Sequence, residues 1–343
     1  MEFGIYTLAD IETNPQTGKT VSAKKRIQEI LAAAKLADEL GLQIVGVGEH
    51  HRLDYAVSSV PVILSAIAQQ TKNVQLISTT TVLSTVDPVR LYEDFATLDL
   101  LSDGRAEIMA GRGAFIESFP LFGYDIKRYD ELFEEHLELW QRLNKEERLS
   151  WHGNFRAPLE NAEISPRATK EIPTWIGVGE TLESARRAGR FGTGLALVIL
   201  GGNPQFFLPL VEAYKLEFIA AKHPIENYKV AITGHGFFAE DGQKARDEFY
   251  AYYRNYWGNV NKQHGMAFHM DREDFEKATS PNTPLFVGSP DEIVEKILKQ
   301  HELFEHTRFL AQLDIGGQPF ETVARSIELL ALEIMPKVNQ YIK

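Results

Sequence analysis

Segments of two kinds alternate along this chain, and that alternation restricts the fold more than any other feature. Apolar runs of strand length occur at EFGIYTL (2–8), LQIVGVG (42–48), VQLISTTTVL (74–83), RAEIMAG (105–111), PTWIGV (173–178), GLALVIL (194–200), YKVAITGHGFF (228–238) and RFLAQLDI (308–315). Between them the period changes to that of a helix. Residues 22–40 put Ile27, Ile30, Leu31, Ala34 and Ala37 on one face before Gly41 ends the run. Asp87-Pro88 supplies an N-cap and a first-turn proline ahead of Leu91, Phe95, Leu98 and Leu101, and a later helix carries Phe133, His136, Leu137 and Trp140. Further helices are expected at about 60–71, 182–191, 204–222, 242–257, 290–303 and 320–335.

The second run is apolar at nearly every position, as a parallel strand covered on both faces should be. Eight strand-and-helix units with no linker or composition break predict an α/β protein, one domain over 1–343 folded as a single (β/α)8 TIM barrel with insertion loops. The rival is a doubly wound open sheet. It would carry a glycine fingerprint after its first strand, and TLADIETNPQTGK has none. Two connections are long: one holds Trp151, Pro158, Pro166 and Pro173, and the other is a polar, irregular stretch from 258 to 285. A barrel loop of the second kind serves as a lid or is a surface insertion without a role.

Composition removes several functions. Forty-eight acidic residues against 36 basic ones give a net charge of −12, which argues against nucleic acid or an anionic membrane as partner. Any bound anion needs a local device. With no cysteine, disulfides, zinc-thiolate sites and cysteine nucleophiles are excluded. MEFGIYTLAD shows no basic-then-apolar leader pattern and no run long enough to span a bilayer occurs, so a soluble, cytoplasmic protein is expected.

In such a barrel the strand ends face the site, which gives weight to four places. Glu49-His50-His51 ends strand two; neighbours on an extended strand point to opposite faces, so the two imidazoles do not readily share a metal. An imidazole handles protons near neutral pH, although a strand-end histidine is as often structural. STTT (78–81) puts hydroxyls into an apolar strand, which the β-propensity of threonine also explains. In AGRGAFIES (110–118), glycines flank Arg112, a guanidinium able to fork onto a phosphate or carboxylate. In GVGETLESARRAG (177–189), glycines end strand five while Thr181, Leu182, Glu183 and Ser184 open a helix whose N–H groups suit a phosphate; alone it reads as an ordinary N-cap. Strands four and five would be barrel neighbours, so Arg112 and this helix start together suggest one anion site. Phe115 and Phe119 after strand four are candidates for the substrate pocket or for anchors of their own loop.

The order of several motifs resembles the bacterial-luciferase-like flavin monooxygenases: GEHH, DPVRLYEDFATLDLLSDGRAEIMAGRG, FGYD, VGETLESARRAGRFG, VGSPDEIVEKI and the closing MPKV. The resemblance implies a barrel that works with reduced FMN (FMNH2) and O2 on a small organic substrate. His50 aligns with the family's active-site histidine near the reactive flavin edge. Arg112, Thr181 and Ser184 fall on phosphate-binding positions, with the backbone at Gly179 and Glu180 contributing. Thr79 and Thr80 fall where luciferase has a non-prolyl cis peptide beneath the isoalloxazine. Gly111 stands where luciferase has a reactive cysteine, so light emission does not follow. The resemblance further implies a separate flavin reductase, a homodimer with helices after strands two and three as contact surfaces, and a mobile lid over 258–285. Three other readings remain: hydride transfer with a flavin or the deazaflavin F420, flavin binding without turnover, and a metal-dependent hydrolase on Glu49 and His50.

Overall fold

The computed structural model describes residues 1–113, 115–263 and 265–342. In chain order the first half comprises β1 (Glu2–Thr7), α1 (Ala23–Glu39), β2 (Ile44–Val47), α2 (Val60–Ala68), β3 (Gln75–Val82), α3 (Pro88–Leu101), β4 (Ala106–Gly111), α4 (Ser118–Phe122), α5 (Tyr129–Lys145), β5 (Arg148–Trp151) and β6 (Leu159–Glu163). The second half comprises β7 (Thr174–Val178), α6 (Leu182–Phe191), β8 (Gly194–Val198), α7 (Leu208–Ala220), β9 (Val230–Phe238), α8 (Gly242–Gln263), α9 (Arg272–Ala278), β10 (Phe286–Gly288), α10 (Pro290–Phe304), β11 (Arg308–Gln312), α11 (Phe320–Leu329) and α12 (Met335–Tyr341).

Local signals in the sequence start these helices. Asp87 accepts from Val89 and Arg90 N–H at 2.9 and 3.2 Å, capping α3 ahead of Pro88. Ser289 and Glu292 form a reciprocal capping box on α10. Gly192 ends α6 at a φ of 64°, the left-handed region glycine tolerates.

Parallel pairing runs β1, β2, β3, β4, β7, β8, β9, β11 and back to β1, so every predicted strand takes its place in one closed barrel. Three departures from the sequence expectation follow from local geometry. The first long connection contains an antiparallel hairpin, β5 with β6, whose Leu149 and Trp151 are buried while Arg148 and Ser150 face out. β10 adds three residues beside β9 outside the closed ring. The stretch 258–285 is not irregular throughout: α8 continues through Gly258 to Gln263, and α9 lies within the stretch. One glycine costs a helix only about 1 kcal/mol, and the buried rings of Phe249, Tyr252, Tyr253 and Tyr256 hold α8 against the barrel.

Inside the barrel, Tyr6, Ile44, Ile77, Met109, Trp175, Ala196, Ala231 and Leu310 form one layer, a single residue from each strand. Residues two positions on point the same way. That next layer includes Gly46, Thr79, Gly111, Gly177, Thr233 and Gln312, which are small or polar. The barrel is therefore filled at mid-height and left with a shallow, polar floor towards the C-terminal ends of its strands.

Candidate active site

Two of the predicted threonines shape that floor. The Thr79–Thr80 peptide is cis, and the register with β4 shifts between Thr79 and Thr81. Glycines surround the pair for steric reasons. A Cβ on Gly46 would come within 2.6 Å of Thr79 Cγ2, one on Gly48 within 2.7 Å of the Thr79 carbonyl, and one on Gly177 within 2.9 Å of Thr80 Cγ2. At Gly111 the same test gives 2.7 Å to Thr80 Oγ1, so in this structure Thr80 occupies the space a side chain there would need.

Arg112 leaves the end of β4 and meets α6. Its Nη2 donates to Thr181 Oγ1 at 3.3 Å, and its Nη1 contacts the Asp130 carboxylate. The guanidinium lies 4.7 Å over the Tyr129 ring, and Phe119, fully buried, packs against that ring with centroids 5.7 Å apart. Phe119 thus shares the Tyr129 ring with Arg112 as a packing neighbour. Thr181 is the N-cap residue of α6, with Ser184 buried in its first turn and Gly179 and Glu180 exposed just before it. No neighbour lies within 4 Å of a Cβ built on Gly179, which leaves open space beside the helix start.

A second guanidinium completes the arrangement. Arg187, three residues beyond Ser184 and so on the same face of α6, is buried. It reaches Asp130 at 3.5 Å and Glu134 at 3.4 Å, and its Nη1 is buried without a hydrogen-bond partner. A donor stranded in this way is costly unless an acceptor arrives. Two guanidiniums, a hydroxyl and a helix N-terminus therefore suit a phosphate monoester, and Asp130, whose side chain is 63 % exposed, is free to turn towards water as the anion enters. The residues present fit the phosphate of a flavin-type cofactor. Arg187 was not singled out from the sequence, where its only signal is the helical offset from Ser184.

His50 lies beyond the end of β2, stacked on Tyr55 with ring centroids 4.0 Å apart and edge-on to Phe115 at 5.2 Å. Its Nδ1 is 3.6 Å from Glu117 Oε1, an ion-pair separation rather than a hydrogen bond. Burial works against ionisation of Glu117, but His50, the local backbone and the Arg52 guanidinium outweigh it and hold the carboxyl below its usual range. His51 has a different partner: its Nε2 is 2.7 Å from Glu49 Oε1, while Glu49 Oε2 accepts from Val82 N–H at 3.0 Å. The adjacent imidazoles thus serve separate carboxylates, although both lie in the loop past the end of β2 rather than on the strand. Among the described residues, no cluster of three or more His, Asp or Glu is arranged to hold a metal ion. Glu117 also escaped the sequence reading, because a loop glutamate carries no periodicity to mark it.

A sequence profile described as luciferase-like monooxygenase matches residues 1–307. The oxygenase component of a flavin-dependent trigonelline monooxygenase from Acinetobacter baylyi is 23% identical, the match covering 99% of this chain and 96% of that protein. An F420-dependent glucose-6-phosphate dehydrogenase from Amycolatopsis mediterranei is 26% identical over 64% of this chain and 67% of its own. The crystal structure of the monooxygenase RslO1 from Streptomyces bottropensis superposes with a TM-score of 0.84 at 27% identity, covering 98% of this chain and 99% of that one. With the profile spanning most of the barrel, the chain belongs to the luciferase-like monooxygenase family.

Proposed function

We propose that this protein is the oxygenase part of an FMN-dependent monooxygenase, supplied with reduced FMN by a separate reductase and acting with O2 on a small organic substrate. The observation that carries the reading is the buried, unpartnered Nη1 of Arg187 beside Arg112 and the start of α6. Arg112, Arg187, Thr181 and Ser184 would hold the phosphate, with backbone at Gly179 and Glu180 beside it. Thr79 and Thr80 would support the ring from the barrel floor. Bound reduced flavin supplies the two electrons that let one oxygen atom enter the substrate while the other leaves as water. His50 holds and delivers a proton at an imidazole nitrogen, oriented by Tyr55 and Glu117. Phe115, against His50, is the aromatic wall for substrate, and Phe119 supports the loop below. The stretch 258–285 excludes water as a lid.

The likeness to an F420-dependent dehydrogenase favours a second reading, hydride transfer with a deazaflavin on the same barrel. Anaerobic titration separates the two. Binding of FMN and reduced FMN followed by oxygen uptake supports the first reading, F420 binding without oxygen uptake supports the second, and FMN binding without any oxygen consumption leaves a flavin-binding protein. Arg112→Ala should weaken FMN binding about 10- to 100-fold, the effect of losing charged hydrogen bonds worth ~1.5–3 kcal/mol. His50→Ala should leave binding within about twofold and slow oxygen chemistry by about 10²–10⁴. Equal loss of flavin in both variants contradicts these roles.

No described helix is long and apolar enough to cross a membrane, and a cytoplasmic location is part of the same proposal. So is a homodimer through α2 and α3, where Val62, Leu100 and Leu101 are exposed.

A further inference from the structure

On the far side of the barrel from Arg112, β9 and β11 carry polar side chains that neither the phosphate nor His50 uses. His235 and Gln312 are register partners, and Tyr6 lies opposite Gln312 on β1. Ala231 and Leu310 belong to the inner layer, so Thr233, His235 and Gln312 also face inwards. All three are at least 98 % buried, with 2%, 1% and 1% of their surface exposed. Among the described residues, Thr233 Oγ1, both ring nitrogens of His235 and Gln312 Nε2 complete no hydrogen bond of regular geometry, although Tyr6 lies within reach of Thr233 and Gln312 within reach of His235. The indole Nε1 of Trp257, on α8, is buried and likewise completes no hydrogen bond of regular geometry, with Tyr253 within its reach. Its ring lies 5.8 Å from that of His235, and Tyr256 and Tyr253 stand edge-on at 5.1 and 6.4 Å.

Buried polar groups are ordinarily satisfied, and four such side chains converging at one end of a barrel point to a missing partner. The chemistry of the set limits that partner. Trp257 Nε1 and Gln312 Nε2 only donate, so the ligand must present an acceptor. Burial pushes His235 down to about 3, partly offset by neighbouring Gln312, so the imidazole is neutral at physiological pH and offers one donor and one acceptor. With no charged side chain in the set, a charged ligand group would be desolvated without compensation. The surrounding rings suit a flat apolar body.

Building on the flavin monooxygenase reading, we propose that His235, Gln312, Thr233 and Trp257 form the substrate's recognition subsite, and that they select an uncharged aromatic compound carrying a carbonyl-type acceptor. The flavin ring has acceptors of the same kind, so the test must tell the two apart. Calorimetry on the FMN-saturated protein would compare acetophenone with ethylbenzene, which has its shape without the acceptor, and with benzoate, which adds a charge. Acetophenone should bind at least about tenfold more tightly than either. Trp257→Phe, which keeps a ring and removes only the N–H, and Gln312→Leu should each abolish that preference while FMN affinity stays within about twofold. Thermal melts of both variants check that they remain folded, and a fall with one variant alone is sufficient if the other unfolds. Equal binding of the three probes, no binding of acetophenone, or a loss of FMN affinity in a folded variant overturns the inference. Failure of the unaltered protein to bind FMN would instead defeat the reading on which it rests.

Discussion

In the proposed phosphate site, Asp130 holds the place of the anion. Its carboxylate contacts Arg112 and lies 3.5 Å from Arg187, so two guanidiniums are partly neutralised before any phosphate arrives. An entering phosphate has to displace or share that contact, and Asp130→Asn should therefore tighten FMN binding two- to fivefold, about 0.4–1 kcal/mol for a pair this exposed. Weaker binding would make Asp130 a positioning group for Arg112 instead. Gly111 has a role of another kind. Gly111→Ala forces a Cβ to within about 3 Å of Thr80 and should lower stability by ~1–3 kcal/mol, read from urea unfolding. The sequence displayed Arg112, Thr181 and Ser184 because each sits at a strand end or helix start. It concealed Arg187 and Glu117, whose importance comes from burial and from partners distant in the chain.

At the scale of elements, the strands and most helices were readable because each presents one clear period. The hairpin of β5 and β6 escaped because β5 is only four residues long and β6, among prolines, buries no residue, and β10 because three residues carry no period. The full length of α8 was hidden by Gly258, whose cost is outweighed by aromatic packing several turns long. A lysine ties the end of the stretch after α9 to α10. Lys296 is buried, and its Nζ donates to the carbonyls of Thr279 and Leu285 at 2.9 and 2.5 Å. Burial pushes the ammonium down from 10.5 to about 7. Between those values the unfolded chain keeps a proton that the folded one has released, so this residue adds stability as pH rises through that window and withholds it below. Denaturation of the unaltered protein and of Lys296→Met across that range should show the former gaining on the latter with rising pH. A constant difference would contradict the buried, neutral lysine.

For the molecule as a whole, the closed end of the barrel has its own clasp. Arg308 on β11 reaches across the interior to Glu107 on β4 at 2.6 and 3.2 Å and to Glu2 at 2.9 Å, while Trp175 on β7 donates to Glu107 at 3.0 Å. Removing one partner strands the other in the interior, so Arg308→Leu should cost about 3–5 kcal/mol, and adding Glu107→Leu should recover part of it. No such recovery would mean that the shape of the pair, rather than its charge, secures the barrel. Closure could be inferred from eight alternating units, whereas this clasp could not, since Glu107 and Arg308 look like ordinary strand-start charges until the ring brings them together. The mouth is organised differently. The excursion from Ala239 to Leu285, which carries Trp257 and the helices α8 and α9, leaves from the end of β9 and returns through β10, whose Phe286, Val287 and Gly288 pair with Gly236, Phe237 and Phe238 of that same strand. β8, β9 and β11 complete the ring without it. It is therefore a cartridge that enters and leaves the ring at one neck and is docked on the loops after β1 and β11 through Asn255 and on α10 through Arg246 and Lys296: exchanging it for the matching piece of a relative would change which molecules are admitted, and would leave intact the proposed phosphate site at Arg112 and Arg187.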